Sequence, residues 1–152
     1  MDDARERRVG IHADTSTWLG GLPPTPRPAN GSSIAEASRY SDTRAASEDK
    51  SGDLLAERAR SAGHVIADRA LVKDDVAAIR AKVESWIADP NIDCVITTGG
   101  TGFTGRDVTP EAVRPLFEKE IDGFSVLFHM LSYKTVATST MQSRACIPPR
   151  VA

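Results

Sequence analysis

A glycine-rich stretch in the second half of the sequence has the residue types of a phosphate-binding loop. It reads TTGGTGFTGRDVTPE from residue 97 to residue 111. Glycine permits positive φ and a close approach of the backbone to a ligand, and successive N–H groups in such a turn can bind phosphate oxygen atoms. Asp107 can hold a divalent cation beside those phosphates, because Mg²⁺ favours one or two carboxylates together with phosphate oxygen atoms.

Two common nucleotide-binding motifs do not explain this stretch. Residues 100–105 match G-x-G-x-x-G, but in a dinucleotide-binding fold the last glycine lies inside the opening helix. Here the next helix is predicted to begin near Pro110. The P-loop pattern fails because no Gly-Lys-Ser/Thr closes the loop. A tight turn without any ligand stays open as the alternative to a phosphate site.

The elements around the loop predict an α/β fold. Residues 93–98 form a β-branched run that is typical of a strand buried on both faces of a parallel sheet. Thr109 is expected to cap a helix that has Pro110 in its first turn. The predicted strands are 64–72 and 93–98, and the predicted helices are 51–62, 74–88, 109–119 and 124–131. This order implies parallel strands with right-handed crossovers, and such sheets bind ligands at the carboxyl ends of their strands.

Composition limits which class of protein this can be and in which cell compartment we expect it. With 152 residues and a formal net charge of -2, the chain suits one domain and has no concentrated basic field for nucleic acid. No apolar run is long enough for a membrane span. Two cysteines argue against a disulfide scaffold, and they give no zinc-ligand spacing. We therefore expect a cytoplasmic protein that binds neither nucleic acid nor membrane.

The first 40 residues differ from the rest of the chain. Four prolines fall between residues 23 and 28, amid Gly, Ser, Thr and Asn. Proline at this density resists both helix and sheet, since it lacks a backbone donor. Residues 1–40 are therefore predicted to be mostly disordered.

The order of several spaced motifs over residues 41–144 resembles the MoaB/Mog family of molybdopterin adenylyltransferases. The glycine loop followed by RDVTPE is the main signature, and further matches are SDTR at 41–44, DKSG at 49–52, AGH at 62–64, VKDD at 72–75 and TSTMQSRA at 138–145. The resemblance implies a three-layer α/β/α fold with a mostly parallel sheet over residues 41–145. Residues 146–152 are then an atypical tail.

The resemblance implies that the protein adenylylates molybdopterin, using ATP and Mg²⁺, and releases pyrophosphate. The residues that match the family's nucleotide-binding positions are Gly99, Gly100, Thr101 and Gly102. Asp107 and Asp74 match its catalytic positions, and Asp107 also matches the residue that binds the metal ion. The matches to its pterin-binding positions are Asp42, Ser139, Thr140, Ser143 and Arg144. Asp74 or Asp75 can equally cap a helix, and Asp42 can be a turn residue. The 139–144 segment can equally be a solvated helix end. Family members form trimers or hexamers, so self-association is expected.

Both ends of the sequence depart from the family. The apolar strand expected before SDTR is replaced by SIAEASRY at residues 33–40, although Ile34, Ala35 and Ala37 could support a weak strand or helix. The sequence also stops at Ala152, before the family's last strand and late loop. We hypothesise that both ends of the sequence come from an out-of-frame or otherwise altered reading of the coding region, and that the first and last strands of the fold are incomplete. The expectation is low stability and weak or absent catalysis. The alternative function is therefore a catalytically impaired paralogue that binds pterin or nucleotide, or associates with subunits.

Overall fold

Four parallel strands form one sheet in the computed structural model, which describes residues 8–12, 32–40 and 49–148. The strands are β1 (Arg8–His12), β2 (Ser33–Tyr40), β3 (Val65–Lys73) and β4 (Cys94–Thr98). Their order in the sheet is β1-β4-β2-β3, and every pairing is parallel. The carboxyl ends of all four strands therefore lie at one edge.

The helices follow the predicted pattern with two changes in length. They are α1 (Lys50–Ser61), α2 (Val76–Ile87), α3 (Thr109–Val113) and α4 (Asp122–Val136), with 3-10 turns at Arg114–Leu116 and Ala137–Gln142. The α-helix predicted to reach residue 119 ends at Val113, because Pro115 has no N–H to continue the α-helical bonding, and the chain continues as a 3-10 turn. The helix predicted for 124–131 is longer at both ends.

The prediction of disorder is wrong for residues 8–12 and 33–40, which form β1 and β2. Strand β2 lies between β3 and β4, so it occupies the interior of the sheet. The sequence signal was weak because small and polar residues replace the usual Val, Ile and Leu. Ala35 and Ala37 are nonetheless buried, which lets the neighbouring layer pack closely. The strand expected to be incomplete is therefore present.

Alternate residues of β2 face opposite sides of the sheet, and this creates the three layers. Ala35 and Ala37 belong to the main core, which continues through Ile79, Val83, Trp86, Ile92, Val95, Ala112, Val113 and Cys146. These residues place α2 and α3 on one face. Glu36 and Ser38 point to the other face, where they meet groups at the start of α1. The α/β/α layering agrees with the prediction, and Cys146 packs in the core although it was assigned to the tail.

A charged cluster joins the sheet to α1, and we call it the Arg69 cluster. The Arg69 guanidinium contacts the carboxylates of Glu36 at 2.9 Å, Asp53 at 3.0 Å and Asp49 at 3.4 Å. Ser38 donates a further hydrogen bond to Glu36. Burial raises the pKa of Glu36, and the hydrogen bonds from Ser38 and Arg69 partly offset that rise. The buried carboxylate is thus paired and hydrogen-bonded, as a charge in the interior must be.

Within the described residues, no helix has the length and apolar character that a membrane crossing requires.

Candidate functional site

The glycine loop leaves β4 at the carboxyl edge of the sheet, as predicted, and its first turn needs glycine. Gly99 has φ 87° and Gly100 has φ 60°, a region that residues with a side chain adopt only at a cost. The Thr109 hydroxyl donates to the Gly99 carbonyl at 3.0 Å, and the Thr109 N–H donates to the Gly100 carbonyl at 3.2 Å. Two consecutive carbonyl groups are therefore turned toward the start of α3.

The third carbonyl of the loop is held from another direction. Arg144 Nε donates to the Thr101 carbonyl oxygen at 3.2 Å. In a trans peptide the C=O group and the following N–H group point in opposite directions, and none of the described peptide bonds is cis. The N–H groups of Gly100, Thr101 and Gly102 therefore point away from the partners that hold the carbonyls. Successive N–H groups in a turn can form an anion-binding nest, and we call these three N–H groups the nest.

Thr109 does not cap α3, contrary to the prediction. The N-cap position is Val108, and no side chain caps the helix there. Thr109 is the first helical residue and is fully buried, so its hydroxyl is used on the Gly99 carbonyl instead. Because the loop doubles back on the helix, a tertiary hydrogen bond replaces the expected local one.

The Asp107 carboxylate folds back onto the glycine loop. Its Oδ2 accepts hydrogen bonds from the Thr104 N–H at 3.0 Å and the Thr104 hydroxyl at 2.6 Å. A Cβ atom placed on Gly102 would lie 2.9 Å from the same oxygen. The carboxylate therefore lies directly beside Gly102, one of the residues of the nest, and it stabilises the loop in addition to any role with a ligand.

Among the described residues, the site at Asp107 fits a magnesium ion that is held jointly by the protein and a bound phosphate ligand. They contain no group of three or more His, Cys, Asp or Glu side chains that would form a metal cage. A single carboxylate beside an anion-binding nest matches the preference of Mg²⁺ for one or two carboxylates plus phosphate oxygen atoms and water. Asp107 fits such a metal, and the phosphate groups of a ligand would have to complete its coordination.

Asp74 directly follows β3 at the carboxyl edge of the sheet, and its neighbour takes the capping role. The N-cap of α2 is Asp75, whose carboxylate accepts from the Ala78 N–H at 2.8 Å. The alternative in which Asp74 caps this helix is therefore wrong. Asp42, the other predicted acid, lies outside the described residues.

The segment after α4 lies against the glycine loop through Arg144, and its hydroxyl groups differ in exposure. Ser139 is exposed, whereas Thr140 is buried and Ser143 is half-buried. The hydroxyl oxygen atoms of Thr140 and Ser143 are buried and have no hydrogen-bond partner. Hydroxyl groups are suitable donors to phosphate, but protein atoms enclose these two oxygens, so a ligand reaches them only when the segment around them opens.

Arg144 was predicted to bind the pterin, but its guanidinium is occupied within the protein. Besides Thr101, it donates to the Asp107 carbonyl and to the Glu111 carboxylate. Partial burial is the largest single influence and raises the pKa of Glu111, but the hydrogen bond from Arg144, a backbone hydrogen bond and the charges of Arg144 and Arg114 together lower it below its ordinary value. In the sequence, Glu111 stands out only as an acid at the start of the predicted helix, which does not reveal its pairing with Arg144.

His129 was also missed, and it anchors the same segment from α4. Its Nδ1 lies 2.6 Å from the Ser125 carbonyl, and its Nε2 lies 2.9 Å from the Ser143 carbonyl. The only sequence signal was a histidine in an apolar helix, which does not reveal a partner 14 residues away. The ring fixes the backbone immediately before Arg144.

Comparison with known proteins places this arrangement in a family. Residues 31–150 match the family described as "Probable molybdopterin binding domain". Molybdenum cofactor biosynthesis protein B of Escherichia coli K12 is 48% identical over 105 residues, which is 69% of this chain and 62% of that protein. A protein of Methanocaldococcus jannaschii described as "Probable molybdopterin adenylyltransferase" is 53% identical over 55 residues, 36% of this chain and 34% of that protein.

Solved structures agree with the sequence relatives. A crystal structure of molybdenum cofactor biosynthesis protein B is 43% identical and has a TM-score of 0.70, covering 78% of this chain and 74% of that one. The chain spans less than two thirds of the length of the curated relatives named above. The match of the family over most of the sequence, with the parallel sheet and the glycine loop in place, shows that the chain belongs to the molybdopterin-binding domain family.

Proposed function

We propose that this chain acts in molybdenum cofactor biosynthesis by adenylylating molybdopterin with ATP and Mg²⁺. The relatives support the pathway, since they are described as molybdenum cofactor biosynthesis proteins and as a probable molybdopterin adenylyltransferase. The reaction transfers an adenylyl group: an oxygen of the pterin's terminal phosphate bonds to the α-phosphorus of ATP, and the bond to pyrophosphate breaks. We expect the reaction in the cytoplasm.

The observation that carries the proposal is the direction of three N–H groups in the glycine loop. Hydrogen bonds from Thr109 and Arg144 hold the carbonyls of Gly99, Gly100 and Thr101, so the N–H groups of Gly100, Thr101 and Gly102 face away from them. We assign these groups to the phosphates of ATP. Backbone N–H groups that are already fixed in place stabilise charge without reorganising during the reaction.

The pterin is assigned to the segment that follows α4. Ser139, Thr140 and Ser143 carry hydroxyl groups, two of them without a partner, and the next residue contacts the glycine loop. The two substrates would then meet between this segment and the loop. Asp42 is retained as a pterin contact on the resemblance alone.

The chain's own groups would act by alignment and charge balance. The nest orients the triphosphate, and hydroxyl donors orient the pterin phosphate, which is already anionic near neutral pH and needs no strong base. Asp107 would hold Mg²⁺, which when bound supplies positive charge that offsets the phosphate oxygen atoms. Asp74, at the same edge of the sheet, is assigned beside the adenylate.

The direct test is conversion of molybdopterin to adenylyl-molybdopterin in the presence of ATP and Mg²⁺. We expect product from the unmodified chain and at least a hundredfold loss in Asp107→Ala, on the order of the effect of removing one electrostatic group from an active site. Glu118→Gln is the matched control, since Glu118 is exposed. No product from the folded chain would refute the enzymatic role.

Binding without turnover is the second candidate, and the orientation of Asp107 favours it. Both hydrogen bonds from Thr104 to Oδ2 show that this carboxylate already serves the loop. If the chain only binds its ligands, isothermal titration would detect binding of nucleotide or pterin, while the adenylylation assay would yield no product. Product formation that depends on Asp107 would exclude it.

The chain is further proposed to associate with copies of itself through α4. Val126, Leu127, Met130 and Tyr133 are each more than half exposed, and their spacing places them along one side of the helix. Large apolar residues grouped in this way are typical of interfaces. Sedimentation should show an oligomer that Leu127→Glu with Met130→Glu converts to monomer; a monomeric unmodified chain would refute the assignment.

A further inference from the structure

Arg144 joins the two ends of the glycine loop. It donates to the Thr101 carbonyl at the loop's first turn and to the Asp107 carbonyl at its far end. Residues 43 and 37 positions away along the chain are thereby fixed by one side chain. Thr109 also crosses the base of the loop through its bonds to the Gly99 and Gly100 carbonyls. Arg144 instead holds the carbonyl of the next residue, Thr101, from outside the loop.

The guanidinium is itself held in place. Glu111 of α3 accepts a hydrogen bond from it, and a planar guanidinium paired with a carboxylate has a fixed orientation. The backbone before it is fixed by His129, which contacts the Ser143 carbonyl at 2.9 Å. Ala145 and Cys146 behind it are buried. Arg144 therefore has little freedom to move toward a ligand.

A loop of this composition needs such a partner. Thr101 lies between Gly100 and Gly102, and glycine leaves the adjacent peptide planes free to rotate because no Cβ restricts φ and ψ. A hydrogen bond to the Thr101 carbonyl selects one orientation of the Thr101–Gly102 peptide. That orientation decides which way the Gly102 N–H points. A loop preorganised in this way binds its ligand without the entropy cost of ordering it.

We propose that Arg144 is a positioning residue that preorganises the glycine loop for nucleotide, and that it is not a ligand of the pterin phosphate. Glu111 orients Arg144, and His129 anchors its backbone. The proposal rests on the nucleotide-binding role assigned to the loop. It predicts that the loss of Arg144 weakens ATP binding and leaves pterin binding nearly unchanged.

We call Arg144 with its bonds to the Thr101 and Asp107 carbonyls the clamp. Amide hydrogen exchange of the ligand-free chain tests the clamp and requires no enzymatic activity. In Arg144→Ala the Thr104, Asp107 and Thr109 amides, which donate within the loop or from α3 to it, should exchange roughly tenfold faster, as expected for the loss of about one hydrogen bond's contribution. The Ile79 amide lies in the first turn of α2 and is bonded to the Asp75 carbonyl, so it exchanges by fraying of that turn while Arg144's bonds stay intact, and its rate should stay unchanged. Unchanged exchange in the loop, or equal acceleration at Ile79, would overturn the proposal.

Matched variants separate the clamp from general loss of an arginine. Arg114→Ala removes an arginine that pairs with Glu120 and should leave the loop amides unchanged. Arg144→Lys retains a donor for one carbonyl and should give intermediate exchange. If Arg144→Ala does not fold, Arg144→Lys and Glu111→Gln carry the same comparison. Full acceleration in Arg114→Ala would contradict the assignment.

The functional consequence is read from the two substrates separately. Arg144→Ala should raise the Kd and KM for ATP about tenfold, with the KM for molybdopterin within twofold of the unmodified chain. A change confined to the pterin would make Arg144 a pterin contact and overturn the proposal. Faster loop exchange with ATP binding unchanged in both Arg144→Ala and Asp107→Ala would preserve the clamp but refute the nucleotide role of the loop.

Discussion

Two arginines each join distant segments of this protein, but they are surrounded by different partners. Arg69 contacts the carboxylates of Glu36, Asp49 and Asp53. Arg144 contacts two main-chain carbonyls and one carboxylate. Arg69 partly offsets the negative charge of three carboxylates between the sheet and α1, whereas Arg144 fixes the path of a loop.

Burial sharpens this difference. In the Arg69 cluster the Glu36 side chain is 1% exposed, so its charge depends on the arginine for compensation. The Glu111 side chain is 51% exposed, and water can replace its partner. Arg69 therefore contributes mainly to the stability of the whole fold, whereas Arg144 contributes mainly to the shape of the glycine loop. We expect the corresponding variants to separate stability from loop order.

The largest effect is expected from Arg69→Ala. It leaves Glu36 buried without its cation, and breaking such a pair should lower the free energy of unfolding by about 3 kcal/mol. Urea denaturation at pH 7 measures the loss. The double variant Glu36→Leu with Arg69→Met removes both charges and should recover more than half of the loss. A loss below about 1 kcal/mol in the single variant would mean that the pair behaves as a surface ion pair.

Arg144→Ala should have a smaller effect on stability. Its carboxylate partner is half exposed, so we expect a loss of about 1.5 kcal/mol, in the range of one or two hydrogen bonds. Denaturation under the same conditions allows direct comparison with Arg69→Ala. A loss as large as that of Arg69→Ala would erase the distinction drawn between the two arginines.

Two glycines of the loop should differ when alanine replaces them. Gly99 has φ 87°, so Gly99→Ala places a side chain in the left-handed region and should cost about 1 kcal/mol or slightly more. Gly105 has open space around its Cβ position and no positive φ, so Gly105→Ala should stay within about 0.5 kcal/mol of the unmodified chain. Thermal melting of both variants gives the comparison. Equal losses would argue against backbone strain at Gly99.

The smallest expected effect is a pH dependence from the Arg69 cluster. Burial raises the pKa of Glu36, while Ser38 and Arg69 oppose the rise, so the folded state binds this proton more tightly than the unfolded state. Glu36 therefore lowers the free energy of unfolding as the pH rises from its ordinary range through its folded pKa. Glu36→Gln should remove this component in denaturation series from pH 4 to pH 7. An unchanged pH profile in this variant would contradict the assignment.

The sequence predicted the elements whose signals are local. The strands at 64–72 and 93–98 and the helices at 51–62 and 74–88 agree with the structure within two residues, because their apolar spacing or β-branched composition is visible in one dimension. For β2 the sequence favoured disorder and left a weak strand or helix open, because the partners that stabilise this strand are tertiary. Ala35 and Ala37 are buried by α2 and α3, and Glu36 is compensated by Arg69 on β3.

Part of the candidate site was also visible in the sequence. The glycine loop at the exit of β4 was predicted from residue types alone, and Gly99 and Gly100 adopt the positive φ that glycine permits. The hydrogen bonds that orient this loop were not predictable. They come from Thr109, where a cap was expected, and from Arg144, where a ligand contact was expected.

The sequence by itself determined the α/β pattern, the position of the glycine loop and the family, because these depend on spacing and composition along the chain. The tertiary structure alone decided which groups orient the loop and which carboxylate is buried. Hydrogen bonds and charge compensation depend on distances between segments 33 to 43 residues apart, and such distances exist only once the sheet and its two helical layers have formed.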